Sequence, residues 1–470
     1  MKVVIKRKNL QPGTLKAQNR WIHESILDSI CEIETLSVVP DLPRDEDFKC
    51  EWDPTVEQNG SAKAALTSDG KRIFISTEYA PFVYLNKDSS KSLARFTHLE
   101  LCRGLNMLNA SNVQNMSCMF KDTGYAASCF CIYGLNGWDT HNVTDMSAMF
   151  YNAGHNAIQW TIGDLSKWNT ENVTNFKAMF HHTGCTTQVF DIGNLNMWNT
   201  SKAKSMAYMF CDAGGAAQRW NIGDLSKWDV SNVVDMTCMF KQAGYKTNDW
   251  SIGDIGTWDV SHVTTMKSMF YYAGRCSNRW SPGDLSKWNV SNIQDMHSMF
   301  SQTGATKMTN MWFIGDLGQW DTHNVIDISW MFESAGRYAV KFDVGNLDHW
   351  DVSNVISMAS MFDKSGQYSD VWNVGDLSRW NVKSVLSMAS MFAWAGCETD
   401  SWTIGDISKW NVSQTIDMFH MFGSAGQHAS HWYIGPINHW NVKNCACHTY
   451  FCTRKMDEPR WNYSALQKKG

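Results

Sequence analysis

Along most of the chain the apolar positions recur on a fixed grid instead of drifting with a local helix or strand period. The dipeptide Met-Phe stands at Met119-Phe120, Met149-Phe150, Met179-Phe180, Met209-Phe210, Met239-Phe240, Met269-Phe270 and Met299-Phe300, 30 residues apart each time. After an insertion of two residues near Met308 to Met311 it resumes at Met331-Phe332, Met361-Phe362, Met391-Phe392 and Met421-Phe422. A tryptophan column keeps the same register at Trp138, Trp168, Trp198, Trp228, Trp258, Trp288, Trp320, Trp350, Trp380, Trp410 and Trp440. Eight residues before each of these sits a second aromatic: Phe130, Trp160, Phe190, Trp220, Trp250, Trp280, Trp312, Phe342, Trp372, Trp402 and Trp432. The two columns hold 19 of the 24 tryptophans, so the aromatic content of the chain belongs to the repeat. So strict a period gives every coil one path length, the signature of a stacked array.

The unit from Trp220 to Asp249 predicts the elements of one coil. Trp220 and Ile222 alternate, Gly223-Asp224 breaks the run, and Leu225, Trp228 and Val230 resume it, which predicts a short strand, a bend and a second extended piece. A helix is predicted next. Asn232 is placed as its N-cap with Asp235 three positions on; Val233, Met236, Met239, Phe240 and Ala243 share one helical face, and Gly244 suits a left-handed stop. One such coil cannot bury its apolar stripe alone, so neighbours must stack. At roughly 5 Å per coil, eleven coils would give a core on the order of 50 Å long.

Both ends are degenerate, as caps are. Leu108 stands in the tryptophan column of the first unit, and in the last the Met and Met-Phe positions have become His448, Phe451 and Cys452. The expected division is therefore 1–95 as an N-terminal α+β capping domain, 96–452 as about eleven coils with end caps, and 453–470 as a tail. Within the first segment a helix is expected near Thr14 to Ile33, with strands near Lys71 to Ser76 and Pro81 to Leu85.

The string Trp-Asp-Val-Ser-Asn-Val-x-x-Met-x-x-Met-Phe, intact at Trp228 to Phe240, resembles the repeat of BspA-like surface proteins, relatives of the leucine-rich repeats. The resemblance covers about residues 100 to 452. It implies an α/β solenoid of leucine-rich-repeat-like coils, one strand and one helix per 30 residues, with no enzymatic activity and a role in adhesion or protein contact. Two departures stand out: an inserted Ile-Gly-Asp-Leu segment lengthens the unit, and no secretion signal or lipid anchor of the kind that surface members carry is expected.

Composition narrows the function classes. The chain is 43% hydrophobic and 19% charged with a net charge of −5, a folded profile whose overall field does not recruit nucleic acid. Met1 to Arg20 carries Lys2, Lys6, Arg7, Lys8, Lys16 and Arg20 without an acid, a local basic arm that could meet phosphate or an acidic neighbour. The start offers no signal-peptide core and no apolar run is long enough to span a membrane, so the 14 cysteines are expected to be reduced thiols in a protein made in the cytoplasm.

Four groups of residues carry candidate chemistry. The aspartates after the repeat glycine (Asp164, Asp224, Asp254, Asp284, Asp316, Asp376, Asp406) either stack as like charges relieved by calcium or are balanced by lysines three residues on. The Asp/Asn column after each tryptophan suits turn-stabilising bonds or an amide ladder. Cys445, Cys447, His448 and Cys452 either hold zinc or are packed thiols of the end cap. Cys129 and Cys131 share one strand face as a thiol pair, and cysteines of one column lie too far apart to form disulfides.

The segment after each Ala-Gly or Ser-Gly varies most between coils, and its residues His155, Tyr245, Arg275, Arg279, Arg337, Tyr338, His428 and His431 are candidate contacts for a partner, with tolerated loop drift as the alternative. Methionines and the tryptophan ladder are expected in the core, with an exposed tryptophan face for sugars or bases as the competing possibility. Histidines such as His155, His181, His182 and His428 look scattered through loops and none recurs along the repeat in register with a serine or cysteine, so no catalytic set emerges. The expectation is a non-catalytic scaffold that binds other proteins and takes no small-molecule substrate. A structural component of a virion or similar particle and a cell-surface adhesin are the alternatives.

Overall fold

The computed structural model describes residues 12–446. These divide into two compact units, one of residues 12–203 with 212–217, the other of 204–211 with 218–446.

The first unit opens on strands β1 (Thr35–Val39), β2 (Phe48–Trp52), β3 (Lys63–Thr67), β4 (Arg72–Ser76) and β5 (Val83–Tyr84). β4 and β5 fall where strands were expected. The expected helix is instead two 3-10 segments, Gln18–Trp21 and Glu24–Glu32. β1 and β4 pair in parallel and bury residues on both faces, which explains their nearly continuous apolar sequence. The repeat strands follow as β6 (Leu101–Arg103), β7 (Leu108–Asn109), β8 (Cys129–Ile132) and β9 (Gln159–Thr161). One sheet runs β2-β3-β4-β1-β6-β8-β9, with Thr35 opposite Leu101 and Cys129 opposite Gln159. Residue 95 is thus no structural boundary. Residues 88–95 already lie as a rung on the first repeat: Asp88 bridges Asn115, and Ser89, Lys91, Leu93 and Arg95 donate to the carbonyls of Asn115, Ser117, Met119 and Lys121.

In the second unit the coil that starts at Asp249 shows the path. Its strand Asp249–Trp250 pairs in parallel with Arg279–Trp280, which pairs with Met311–Trp312. Gly253 then turns the chain at φ +82°, and a Cβ there would overlap Asp224 Oδ1, so this position must be glycine. Asp254 caps the single 3-10 turn Ile255–Thr257, accepting from Gly256 N–H at 3.0 Å. Trp258 follows, then a Val260 to Val263 turn and a bridge at Thr265 to its neighbours Asp235 and Asp295. The two-residue insertion is absorbed beside the third strand: Arg279 faces Met311, 32 residues on, and a turn from Thr306 to Thr309 bulges the extra chain outward.

The helix expected after Asn232 does not form, and no α-helix occurs among the described residues. From Met236 to Gln242 alternate N–H groups point to the next coil, those of Met236, Cys238, Phe240 and Gln242 donating to the carbonyls of Thr265, Lys267, Met269 and Tyr271 at 2.7–3.1 Å. Met239, Lys241 and Ala243 donate instead within the coil, three residues back. The cause is width. An α-helix needs about 10 Å between neighbours, whereas the Phe240 and Phe270 rings stack at 5.6 Å. Thirty residues per coil piled at strand spacing on every side leave no room for a helix, so the chain makes overlapping turns. That path puts Cys238 and Gln242 at φ 55° and 57°, left-handed values that cost a non-glycine residue roughly 1–2 kcal/mol. The coil-to-coil bonds offset this cost. The asparagine expected as N-cap ties coils together instead. In the equivalent position Asn292 Nδ2 donates to the Ser261 carbonyl of the preceding coil at 2.6 Å.

Within each unit the core is a set of ring ladders. The phenylalanine column stacks with centroids at 5.2 and 5.5 Å for Phe120, Phe150 and Phe180, and at 5.4–5.6 Å from Phe240 to Phe422. The Trp138, Trp168 and Trp198 rings lie 6.4–6.5 Å apart and nearly parallel, and so do those from Trp320 to Trp440 at 6.2–6.4 Å. All of these are buried, as is nearly all of the second aromatic column, so the alternative of an exposed tryptophan face fails.

Candidate functional site

The two aromatic columns differ in how they treat the indole N–H. In the first, Trp258, Trp288, Trp320, Trp350, Trp380 and Trp410 each donate to a Leu or Ile carbonyl of the preceding coil at 2.8–3.0 Å. Trp138, Trp168 and Trp198 do the same in the first unit. In the second column Trp160, Trp312, Trp372 and Trp432 donate to groups seven to nine residues back in their own coil at 3.0–3.2 Å, whereas the indoles of Trp250, Trp280 and Trp402 are buried without a partner. Phenylalanine replaces tryptophan only in that column, at Phe130, Phe190 and Phe342. Burial and stacking make both columns structure, not a binding face.

The aspartates after the repeat glycine are not gathered into a calcium loop. Asp164, Asp224, Asp254, Asp284, Asp316, Asp376 and Asp406 each accept from the backbone N–H two residues on, at 2.8–3.0 Å. Asp229, after the tryptophan, likewise takes the Ser231 N–H and hydroxyl, so this column makes turn bonds. No disulfide forms among the 12 described cysteines. Cys129 and Cys131 sit on one face of β8 with sulfurs 3.7 Å apart, and burial, with the neighbouring thiol, pushes Cys129 up to about 11. Of the C-terminal cluster only Cys445 is described, buried; Cys447, His448 and Cys452 lie outside the described residues.

The eight edge residues do not form one patch. In the second unit Arg275 lies over the rings of Tyr245 and Tyr272, donating to the Tyr245 hydroxyl at 2.9 Å and to Gln302 Oε1 at 3.1 Å. Gln302 in turn donates to the buried Glu333 carboxylate at 2.7 Å. Arg337 repeats the arrangement over Tyr338 and Tyr368, whose rings stack at 4.6 Å, and donates to Gln367 Oε1 at 2.8 Å. These side chains brace one another from coil to coil. Beside them Asp363 is pushed up to about 6 by burial, with Glu333 adding to the rise and Lys364 and Arg337 opposing it. Arg279 and His431 stand instead on strands, Arg279 beside a shallow cleft of ≈ 550 Å³ lined by Met311, Phe313 and Val340. His428 Nε2 lies 3.7 Å from Glu398. In the first unit His155 stacks on Tyr125 at 5.0 Å and faces His182 at 5.7 Å.

One surface is not apparent from the sequence pattern. Ile326, Ile356, Leu386 and Ile416 stand one above another on consecutive coils, joined through their backbones at 2.8–2.9 Å. They are 43%, 46%, 40% and 50% exposed, and Trp330 and Phe419, further along two of the same coils, are 44% and 39% exposed. The signal for it was in one variable position of the repeat, which is Gln114, Thr144, Thr174, Lys204, Val234, Thr264 and Gln294 earlier in the chain and aliphatic on every coil from Ile326 to Ile416.

Coils of equal length, ladders of rings and coil-to-coil backbone bonds define a tandem-repeat protein of many short parallel strands. Its repeats are shared. The family described as "Mycoplasma protein of unknown function, DUF285" matches residues 96–183, 125–251, 155–279, 245–373, 305–426 and 338–461, a continuous span, and the chain belongs to that family. No curated protein matches the chain. Nor does any solved structure. No helix among the described residues is long and apolar enough to cross a membrane.

Proposed function

We propose that the array is a non-catalytic solenoid scaffold that binds another protein along the face carrying Ile326, Ile356, Leu386 and Ile416. The observation that carries this reading is the row itself: four branched aliphatic side chains, 40–50% exposed, held in register on consecutive coils. Contiguous apolar surface of this kind marks interaction sites, and a backbone fixed by coil-to-coil bonds presents it with little ordering cost on binding. At about 4.8 Å per rung the row is roughly 15 Å long, enough for the apolar face of a short helix or strand. The likeness of the Trp-Asp-Val-Ser-Asn-Val string to BspA-like repeats supports a role in protein contact, and stacked coils with a patterned outer face support a solenoid of the leucine-rich-repeat kind.

The test is affinity capture from extracts of the source cells with the wild-type chain and with the double variant Ile356→Lys, Leu386→Lys. These positions are solvent-facing, so the fold should hold, checked by circular dichroism. The proposal expects a specific protein retained by the wild type and lost with the double variant. Equal retention by both chains would remove the row from the reading, and a wild-type chain that retains no protein would remove the scaffold itself.

A further inference from the structure

We infer that the first unit holds an edge site for a divalent transition metal of the zinc class, built from His155, His182, Cys185 and Asp212. The histidines that look scattered in the sequence fall on two neighbouring columns of the grid. His155 and Cys185 are 30 residues apart and share one column; His182 and Asp212 are 30 apart and share the other. A ligand nitrogen of each histidine and the Cys185 sulfur lie within 4.8 Å of one another, all three half-buried. His182 Nε2 is 3.7 Å from Asp212 Oδ2. Tetrahedral zinc with bonds of about 2.0–2.3 Å separates its ligand atoms by roughly 3.3–3.8 Å, so the His155, His182 and Cys185 atoms need to close by only about 1 Å, and the Asp212 carboxylate is offered beside His182 as the fourth ligand.

Three further features fit a metal. His155 Nδ1 lies 3.3 Å from the His182 carbonyl oxygen, and donating its N–H there leaves the Nε2 lone pair to a metal, the usual arrangement behind a metal-bound imidazole. The Tyr125 ring stacked on His155 fixes the plane of that imidazole. His182 and Asp212 have left-handed backbones, φ 55° and 57°, imposed by the turn path common to every coil, so the scaffold sets both side chains before any ion binds. The rest of the grid shows the placement to be local. In the next coils the same two columns carry Gln242 with Tyr245 and Tyr272 with Arg275, and in the second of these a guanidinium bridges the rungs instead. Cys185 donates its S–H to the Asp212 carbonyl at 3.2 Å. Coordination takes the thiolate, so that proton passes to solvent as the metal–sulfur bond forms, and affinity rises with pH.

The experiment is a Co²⁺ titration of the full chain after removal of metal with chelator, followed by Zn²⁺ displacement. The expected result is one saturable equivalent with the visible bands of tetrahedral cobalt and a thiolate-to-cobalt charge-transfer band, both abolished by zinc. Cys185→Ser should erase the charge-transfer band. Cys185→Ser and His182→Gln should each weaken binding about 100-fold or more, since losing even a group that only hydrogen-bonds a ligand costs 10–100-fold. Cys397→Ser, which disrupts the Cys397, Glu398 and His428 group, and Cys447→Ser should leave the spectrum unchanged. If a variant fails to fold, protection of Cys185 from alkylation by one equivalent of Zn²⁺ in the wild type, read by mass spectrometry, gives the same answer. An unchanged spectrum in Cys185→Ser, loss of the signal only in Cys397→Ser or Cys447→Ser, or no saturable binding at micromolar cobalt would each overturn the site. An Asp212→Asn chain that binds as tightly as wild type would remove the carboxylate from the ligand set.

Discussion

Replacing Trp258 and Trp250 separately by phenylalanine should give opposite results, although the two residues lie in one coil and are both buried. Shrinking either ring opens a cavity, which at roughly 24 cal/mol per Å³ costs about 1 kcal/mol. Trp258 also gives up its 2.9 Å bond to the Leu225 carbonyl, about 1 kcal/mol more, although that carbonyl keeps the Trp228 N–H. Trp250 loses no hydrogen bond, because its indole N–H is buried without a partner, and removing such a group relieves about 1–3 kcal/mol. Trp258→Phe is therefore expected to destabilise by about 2 kcal/mol and Trp250→Phe to be neutral or stabilising. Urea unfolding followed by fluorescence and circular dichroism measures both. Since the two positions belong to the same compact unit, a separate transition of the other unit leaves their difference unaffected. Equal costs, or a larger cost at Trp250, would refute the claim that Trp258 is held by its N–H as well as its ring and Trp250 by ring area alone.

Gly253→Ala should cost about 2 kcal/mol or more, because φ is +82° and the new Cβ meets Asp224, whereas Gly70→Ala, at φ +75° with open space around it, should cost only about 1 kcal/mol; thermal midpoints compare them. Asp363 supplies a pH dependence of known sign. Its folded value, about 6, lies above its ordinary 3.8, so the native state holds the proton more tightly and stability falls as pH rises from about 4 through 6. Asp363→Asn should flatten that part of the stability profile and gain on the order of 2–3 kcal/mol at pH 7, read from urea midpoints at several pH values.

The repeat grid was legible because burial repeats with the coil: the tryptophan, Met-Phe and second aromatic columns are the ladders seen in the structure. The strand, the Gly-Asp bend and the glycine stop at Gly244 were legible for the same reason. The helix was not, and the failure has a physical origin. Met236, Met239, Phe240 and Ala243 have a spacing that fits a helical face and a run of overlapping turns equally well. What decides between them is the left-handed backbone at Cys238 and Gln242, residues whose type gives no sign of it. The N-terminal boundary failed because residues 88–95 copy the backbone of a rung without its sequence. Of the candidate sites, Arg275 and Arg337 proved to be tied to their neighbouring tyrosines and glutamines, and the histidine grouping was hidden because its members come from two columns that only the folded coil brings side by side.

The uniform coil length also bears on how such a chain changes in number. Excising any whole thirty-residue copy brings the flanking residues of each column together, so a shortened protein inherits intact rows of rings and carbonyl partners. A duplication does the same in the other direction. In-register gain or loss of copies would then yield foldable products of different reach, whereas a loss of any other size would break every row at once, except where extra residues can bulge outward as they do between Thr306 and Thr309.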